Sequence, residues 1–199
     1  MSDGHSPAAP GRAEREVIVR GRLLLIGAGL LVLSGCGESA VARSEPLPIP
    51  PVVKLPAAAA GGVCRVLDYS AIEKAIGTTF DVSAATSQGE TSSCVLQAEQ
   101  ASLPDLALAM TPTSADASVF NDEAPDGGQS VKGLGKAAYR LIVAAGKDHG
   151  PGVEVCWLAS DGQMISLRYT LPADEGKPAA EAIAAKLVTL AKQIDAAER

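Results

Sequence analysis

The sequence predicts an α+β fold, an antiparallel β-sheet with a short N-terminal helix and a long C-terminal helix packed on one face. Three observations carry this. From Pro178 onward, Ala180, Ile183, Ala184, Leu187, Leu190, Ala191 and Ile194 fall on one stripe at helical spacing. Near the start of the globular part, Leu67, Ile72, Ala75 and Ile76 recur at the same spacing. Between them lie short apolar or alternating runs bounded by turn residues, which is strand patterning. Helix, strands and helix in that order favour an antiparallel sheet covered on one side.

Each element has its own signal. Asp68 or Ser70 can cap the first helix, Ser70-x-x-Glu73 has capping-box form, and Gly77 is placed to end it. Strands are predicted over Thr79–Ser83, Ser92–Gln97 and Asp105–Met110, where Leu106, Leu108 and Met110 alternate with polar or small residues. Ala115–Phe120 reads as a helical turn and the Asp/Gly/Pro-rich Asn121–Gln129 as a loop. Further strands are predicted over Ala138–Ala144, Val153–Ala159 and Gln163–Thr170.

Asp161-Gly162 between two strand patterns signals a two-residue type I′ hairpin. That turn sets Leu158 opposite Ile165, Cys156 opposite Leu167 and Trp157 opposite Ser166. Side chains alternate faces along a strand. Leu158, Cys156, Ile165 and Leu167 then share the face that meets the helices. Trp157, Val155, Ser166 and Arg168 share the more polar one, and Trp157 beside Arg168 becomes the candidate binding surface, because tryptophan and arginine are favoured anchors in binding surfaces.

Upstream, Arg20 and Arg22 precede the apolar run Leu23–Leu33, which ends in Leu33-Ser34-Gly35-Cys36. The run is shorter than the roughly 20 apolar residues that span a bilayer. Charge, short apolar run and small residues before a cleavage point make a secretory signal. The four closing residues resemble the lipobox of bacterial lipoprotein precursors. That resemblance implies a diacylglyceryl thioether on Cys36, cleavage between Gly35 and Cys36, acylation of the new N-terminus and residence on the extracytoplasmic face of the cell membrane. Two or three acyl chains, at about 0.8 kcal/mol per buried CH₂, anchor stably where one is marginal. Met1–Glu16 is long and polar for such a signal, and a start at Val17 or Val19 would leave the compact basic Val-Ile-Val-Arg-Gly-Arg.

The chain therefore divides into a signal peptide at 1–35, a lipidated Cys36 with a Pro/Ala-rich tether at 36–62, and one domain at 63–199. Pro46, Pro48, Pro50, Pro51 and Pro56 favour extended polyproline II in the tether. Residues 1–35 carry four arginines against three carboxylates, a net +1, so cleavage takes the formal charge from −6 to −7. An acidic surface argues against nucleic acid and against attraction to anionic lipid. The membrane partner is then reached through the lipid, and no basic patch is needed.

With Cys36 lipidated, Cys64, Cys94 and Cys156 remain, an odd number in an oxidising compartment. Pairing Cys64 with Cys94 closes a loop of about 30 residues, worth on the order of 3 kcal/mol in the chain-entropy model. Cys156 is left as a buried, inert thiol.

Cys64-x-x-Leu67-Asp68 opening a helix that ends Ala75-Ile76-Gly77, then Cys94-Val95-Leu96, then Gly133-Leu134-Gly135-Lys136-Ala137-Ala138, resembles the mature domain of small actinobacterial lipoproteins. In those a Cys-x-Trp strand and a Gly-Leu-Gly-Asp-Ala-Ala turn occupy the corresponding places; here leucine replaces tryptophan and lysine replaces aspartate. The resemblance spans most of residues 64–195 and implies the fold and the Cys64–Cys94 pair. It implies no activity, because that group has no agreed one.

Catalytic patterns are sparse. After cleavage His149 is the only histidine, in the loop-like Lys147-Asp148-His149-Gly150-Pro151-Gly152, and no nucleophile elbow accompanies it. Asn121-Asp122-Glu123-x-x-Asp126-Gly127-Gly128 offers oxygen ligands without EF-hand order and reads as a solvated acidic turn. Gly133-Leu134-Gly135 lacks the third glycine of a nucleotide fingerprint and reads as a tight turn. No cofactor or metal is expected. The sequence favours a non-catalytic, membrane-anchored module that binds an envelope protein or small ligand. The alternative is a cell-wall hydrolase using His149 with unidentified acidic residues.

Overall fold

A computed structural model describes residues 54–198, all within one compact unit. The signal segment, Cys36 and the tether up to residue 53 lie outside the described residues. The fold is α+β. Its sheet has seven strands, all paired antiparallel: β1 Val82–Gln88, β2 Thr91–Ala98, β3 Ala101–Pro112, β4 Gln129–Ser130, β5 Ala137–Val143, β6 Gly152–Leu158 and β7 Gln163–Thr170. The spatial order is β1-β2-β3-β7-β6-β5-β4. Three helices accompany it: α1 Tyr69–Ile76, α2 Ala117–Asp122 and α3 Lys177–Ala197.

The folded part starts earlier than residue 63. Short 3₁₀ turns at Ala57–Ala60 and Gly62–Val66 precede α1, and Ala57 is buried in the core. Ala57 alone of the run is buried, and it anchors the turn to the core while Ala58–Ala60 stay exposed. The Asp68 carboxylate caps α1 by accepting from the Ala71 N–H at 2.8 Å, and bonds to Ser70 and Ala71 hold its pKa below the usual carboxylate range. Glu73 does not complete a capping box; it accepts instead from the Thr79 hydroxyl at 2.8 Å. Gly77 ends the helix in the left-handed region at φ 83°.

α1 and α3 cover one face of the sheet. Buried beneath them are Leu96, Leu106, Leu108, Val153, Val155, Trp157, Ile165, Leu167 and Tyr169, closed from above by Ile72, Leu187, Leu190 and Ile194. The Cys64–Cys94 disulfide ties the turn before α1 to β2 across a separation of 30 residues, with both cysteines fully buried. A smaller cluster lies on the opposite face, where Phe120 of α2 packs with Cys156 and Leu158 and stacks on Tyr139 at 5.6 Å.

The β6–β7 hairpin departs from the predicted register by one residue. Trp157 pairs with Ile165, Cys156 with Ser166 and Leu158 with Met164. A type I′ turn requires positive φ at both central residues. Only Gly162 has it, at 84°; Asp161 does not. The loop is longer than two residues: the Gly162 N–H donates to the Ala159 carbonyl at 3.4 Å, and the Ala159 N–H donates to the Gln163 carbonyl at 2.8 Å. This is a three-residue turn with its glycine in the left-handed position. One residue of slip turns every side chain to the other face. Trp157 and Val155 therefore point to the helices, and Cys156 and Leu158 point away from them.

The Gly133-Leu134-Gly135 segment is a tight turn, as expected. Both glycines have positive φ, Leu134 is buried, and a Cβ at Gly135 would run into the Leu158 carbonyl oxygen. That close approach lets the Lys136 N–H donate to Leu158 at 2.7 Å and starts β5 beside β6.

Candidate functional site

The structure separates the two residues that the sequence brought together. Trp157 is fully buried on the helix-covered face. Arg168 pairs with Glu154 and Ala107 on the opposite face, where its guanidinium lies over Gly152. The Trp157/Arg168 surface does not form, and the hairpin register is the reason.

His149 stands in a short turn. Its Nδ1 donates to the Gly150 carbonyl at 2.6 Å, the Gly146 N–H donates to the His149 carbonyl at 3.1 Å, and the imidazole fills the space beside Gly146. These contacts hold a loop. They bring no carboxylate or hydroxyl to the ring.

Cys156 is the single free thiol among the described residues and is buried, though on the face away from the helices. Its neighbours are Phe120, Tyr139 and Glu154, and the Tyr139 hydroxyl donates to Glu154 Oε1 at 3.4 Å. Burial, with Glu154 adding to it, pushes the thiol up to about 11; burial also raises the Tyr139 phenol. The thiolate is the nucleophilic form, so this cysteine is unreactive at neutral pH. Native protein at pH 8 should label with a thiol reagent at least about 100-fold more slowly than protein unfolded in urea. Equal rates in the two states would show that Cys156 is accessible.

A cavity of about 770 Å³ opens between the distal half of β5 and the first turns of α3. Its position follows from strand lengths. β4 pairs only with Tyr139 and Arg140, so Leu141–Val143 run on with no outer strand among the described residues. The floor is apolar, with Ile142, Val153 and Ala184 at its base. The rim is charged. Arg140 donates through Nε and Nη2 to Gln129 Oε1 at 3.1 and 2.9 Å, and Lys177 meets Glu181 at 3.7 Å. Glu175 and Asp126 complete the rim.

No histidine, cysteine, serine, threonine or tyrosine lines this cavity. It is a half-open groove: an apolar group can lie against Ile142 and Val153 while polar atoms meet the rim. Sequence reading missed it. The only sign was the apolar triplet Leu141-Ile142-Val143 ending a strand beside a loop, which looks the same when it is packed against a full neighbour.

Among the described residues no helix is long and apolar enough to cross a membrane, and no three His, Cys, Asp or Glu side chains converge as metal ligands. No protein-family model, curated protein or solved structure matches the chain.

Proposed function

We propose that this is a lipid-anchored, non-catalytic binding module on the extracytoplasmic face of the membrane. Its ligand, or a segment of an envelope protein, sits in the cavity between β5 and α3. The anchor rests on Arg20, Arg22, the short apolar run and the lipobox-like Leu33-Ser34-Gly35-Cys36, together with the resemblance to small actinobacterial lipoproteins. The observation that carries the binding reading is the cavity itself, about 770 Å³ with an apolar floor and a charged rim, the usual make-up of a binding site.

One experiment in the producing cells tests both parts. A photo-crosslinking residue at the exposed rim position Ala145 should give a discrete adduct in the membrane fraction. Ala144→Arg, which crowds the same rim without touching the core, should abolish the adduct. Cys36→Ala should release the protein from membranes and end palmitate incorporation. Adduct formation unchanged by Ala144→Arg would sink the cavity reading, and membrane retention of Cys36→Ala would sink the anchor.

A further inference from the structure

The two edges of the sheet are built differently. At one end, β4 has two residues, with Pro125 and Asp126 just before it and Lys132 just after. At the other end, β1 runs for seven residues, Val82-Ser83-Ala84-Ala85-Thr86-Ser87-Gln88, in unbroken register with β2. It contains no charge, no proline and no bulge, the devices by which edge strands are normally protected from pairing. Ala84–Gln88 are exposed, and no described strand pairs with the outer side of β1.

A second observation falls at the same place. Four large hydrophobic residues are exposed among the described residues, and two of them, Leu55 at 64 % and Val82 at 42 %, line a groove at the start of β1 together with Lys54, Asp81 and Glu99. The exposed Ala59 and Ala60 lie beside them. The 3₁₀ turns pack against one face of β1, with Ser83 Oγ donating to the Ala57 carbonyl at 3.3 Å, and the backbone edge from Ala84 to Gln88 is left as an open contact surface.

We infer that β1 pairs antiparallel with the β1 of a second copy of this chain, about a two-fold axis at Ala85, joining two sheets into one. The sequence of the strand is compatible with this partner. About that axis Ala85 faces its own copy, Ala84 faces Thr86, Ser83 faces Ser87 and Val82 faces Gln88. Every pair is small or uncharged, so neither bulk nor like charge opposes the match. The chain carries a formal charge of −6, so most of its surface repels a second copy. β1 is a stretch without carboxylates. The nearest carboxylates lie beyond its two ends: Asp81, engaged by Lys54 Nζ at 3.4 Å and by the Glu99 N–H at 2.6 Å, and the exposed Glu90 in the turn to β2, which this axis sets opposite Phe80 of the copy. The contact is isologous, so it closes as a dimer and does not grow into a filament.

Sedimentation of residues 50–199, one compact unit with its own core and disulfide, tests the pairing. A concentration-dependent monomer–dimer equilibrium is expected. Thr86→Lys, an exposed substitution that sets two like charges near the axis, should weaken it by at least about tenfold. Circular dichroism and an intact disulfide would show that the variant still folds. In cells, Ala85→Cys in the full chain should form a disulfide-linked species of twice the chain mass, and a control cysteine at exposed Lys132 should not. A monomer at every concentration, a dimer indifferent to Thr86→Lys, or an Ala85→Cys adduct with a different protein would each overturn the inference.

Discussion

Replacing Cys64 and Cys94 together with alanine should lower the unfolding free energy by about 3 to 4 kcal/mol, the chain-entropy value for a loop of this length. The bond closes a 30-residue separation, and both sulfurs are fully buried. Its structural effect is local to one side of the core. α1 has eight residues, too few to be stable as an isolated helix. The turn that carries Cys64 sets α1 in place by holding the chain against β2. Small domains are stable by about 5 to 15 kcal/mol in total, so the loss is a large fraction. Urea denaturation of the oxidised protein and of the double variant gives the difference directly. Hydrogen exchange should show residues 64–76 opening before the rest of the core in the variant. An unchanged urea midpoint would mean that packing of Ile72 and Ile76 alone fixes this corner.

The parts of the fold that were legible in the sequence are those whose burial is one-sided and whose turn chemistry is unambiguous. β7 starts and ends where the alternation Ile165, Leu167, Tyr169 places it, and α3 follows from its stripe. β1 was expected at Thr79–Ser83 and lies at Val82–Gln88. Its residues are small and mostly exposed, so no hydrophobic period marks it, and Gly89 at φ 59°, which turns it into β2, was the signal available. β4 is too short to leave a pattern. The candidate site depended on a single turn. Asp-Gly between strands is compatible with a two- or a three-residue loop, and the two differ by one residue of register. The sequence places apolar residues on both faces of β6, Val155 and Trp157 on one and Cys156 and Leu158 on the other, so alternation could not choose between them. Both faces are in fact buried, the second by Phe120. The cavity at β5 was not legible, because it arises from where β4 stops.

Trp157→Ala should cost about 3 to 5 kcal/mol, the range for deleting a fully buried large aromatic side chain. Trp157 is fully buried, paired with Ile165 on one side and Ala138 on the other, under the helices. The adjoining Gly135 is constrained too, since a Cβ there would sit 3.1 Å from Trp157 Cδ1. The alternative register places the same indole on the face that carries Arg168, away from Ile165, Ala138 and the helices, where the smaller Phe120 cluster offers it less packing. The measurement therefore separates the two registers. Arg168→Ala is the paired control: it lies on the opposite face and makes no ion pair among the described residues, so its cost should stay below about 1 kcal/mol. Trp157 Nε1 has no hydrogen-bond partner among the described residues, so Trp157→Phe loses volume but no bond and should fall well short of the alanine variant. As the only tryptophan in the chain, it also reports on itself, with emission that should shift to longer wavelength as urea exposes it. A Trp157→Ala cost no larger than that of Arg168→Ala would place the indole outside the core and return the hairpin to the two-residue turn.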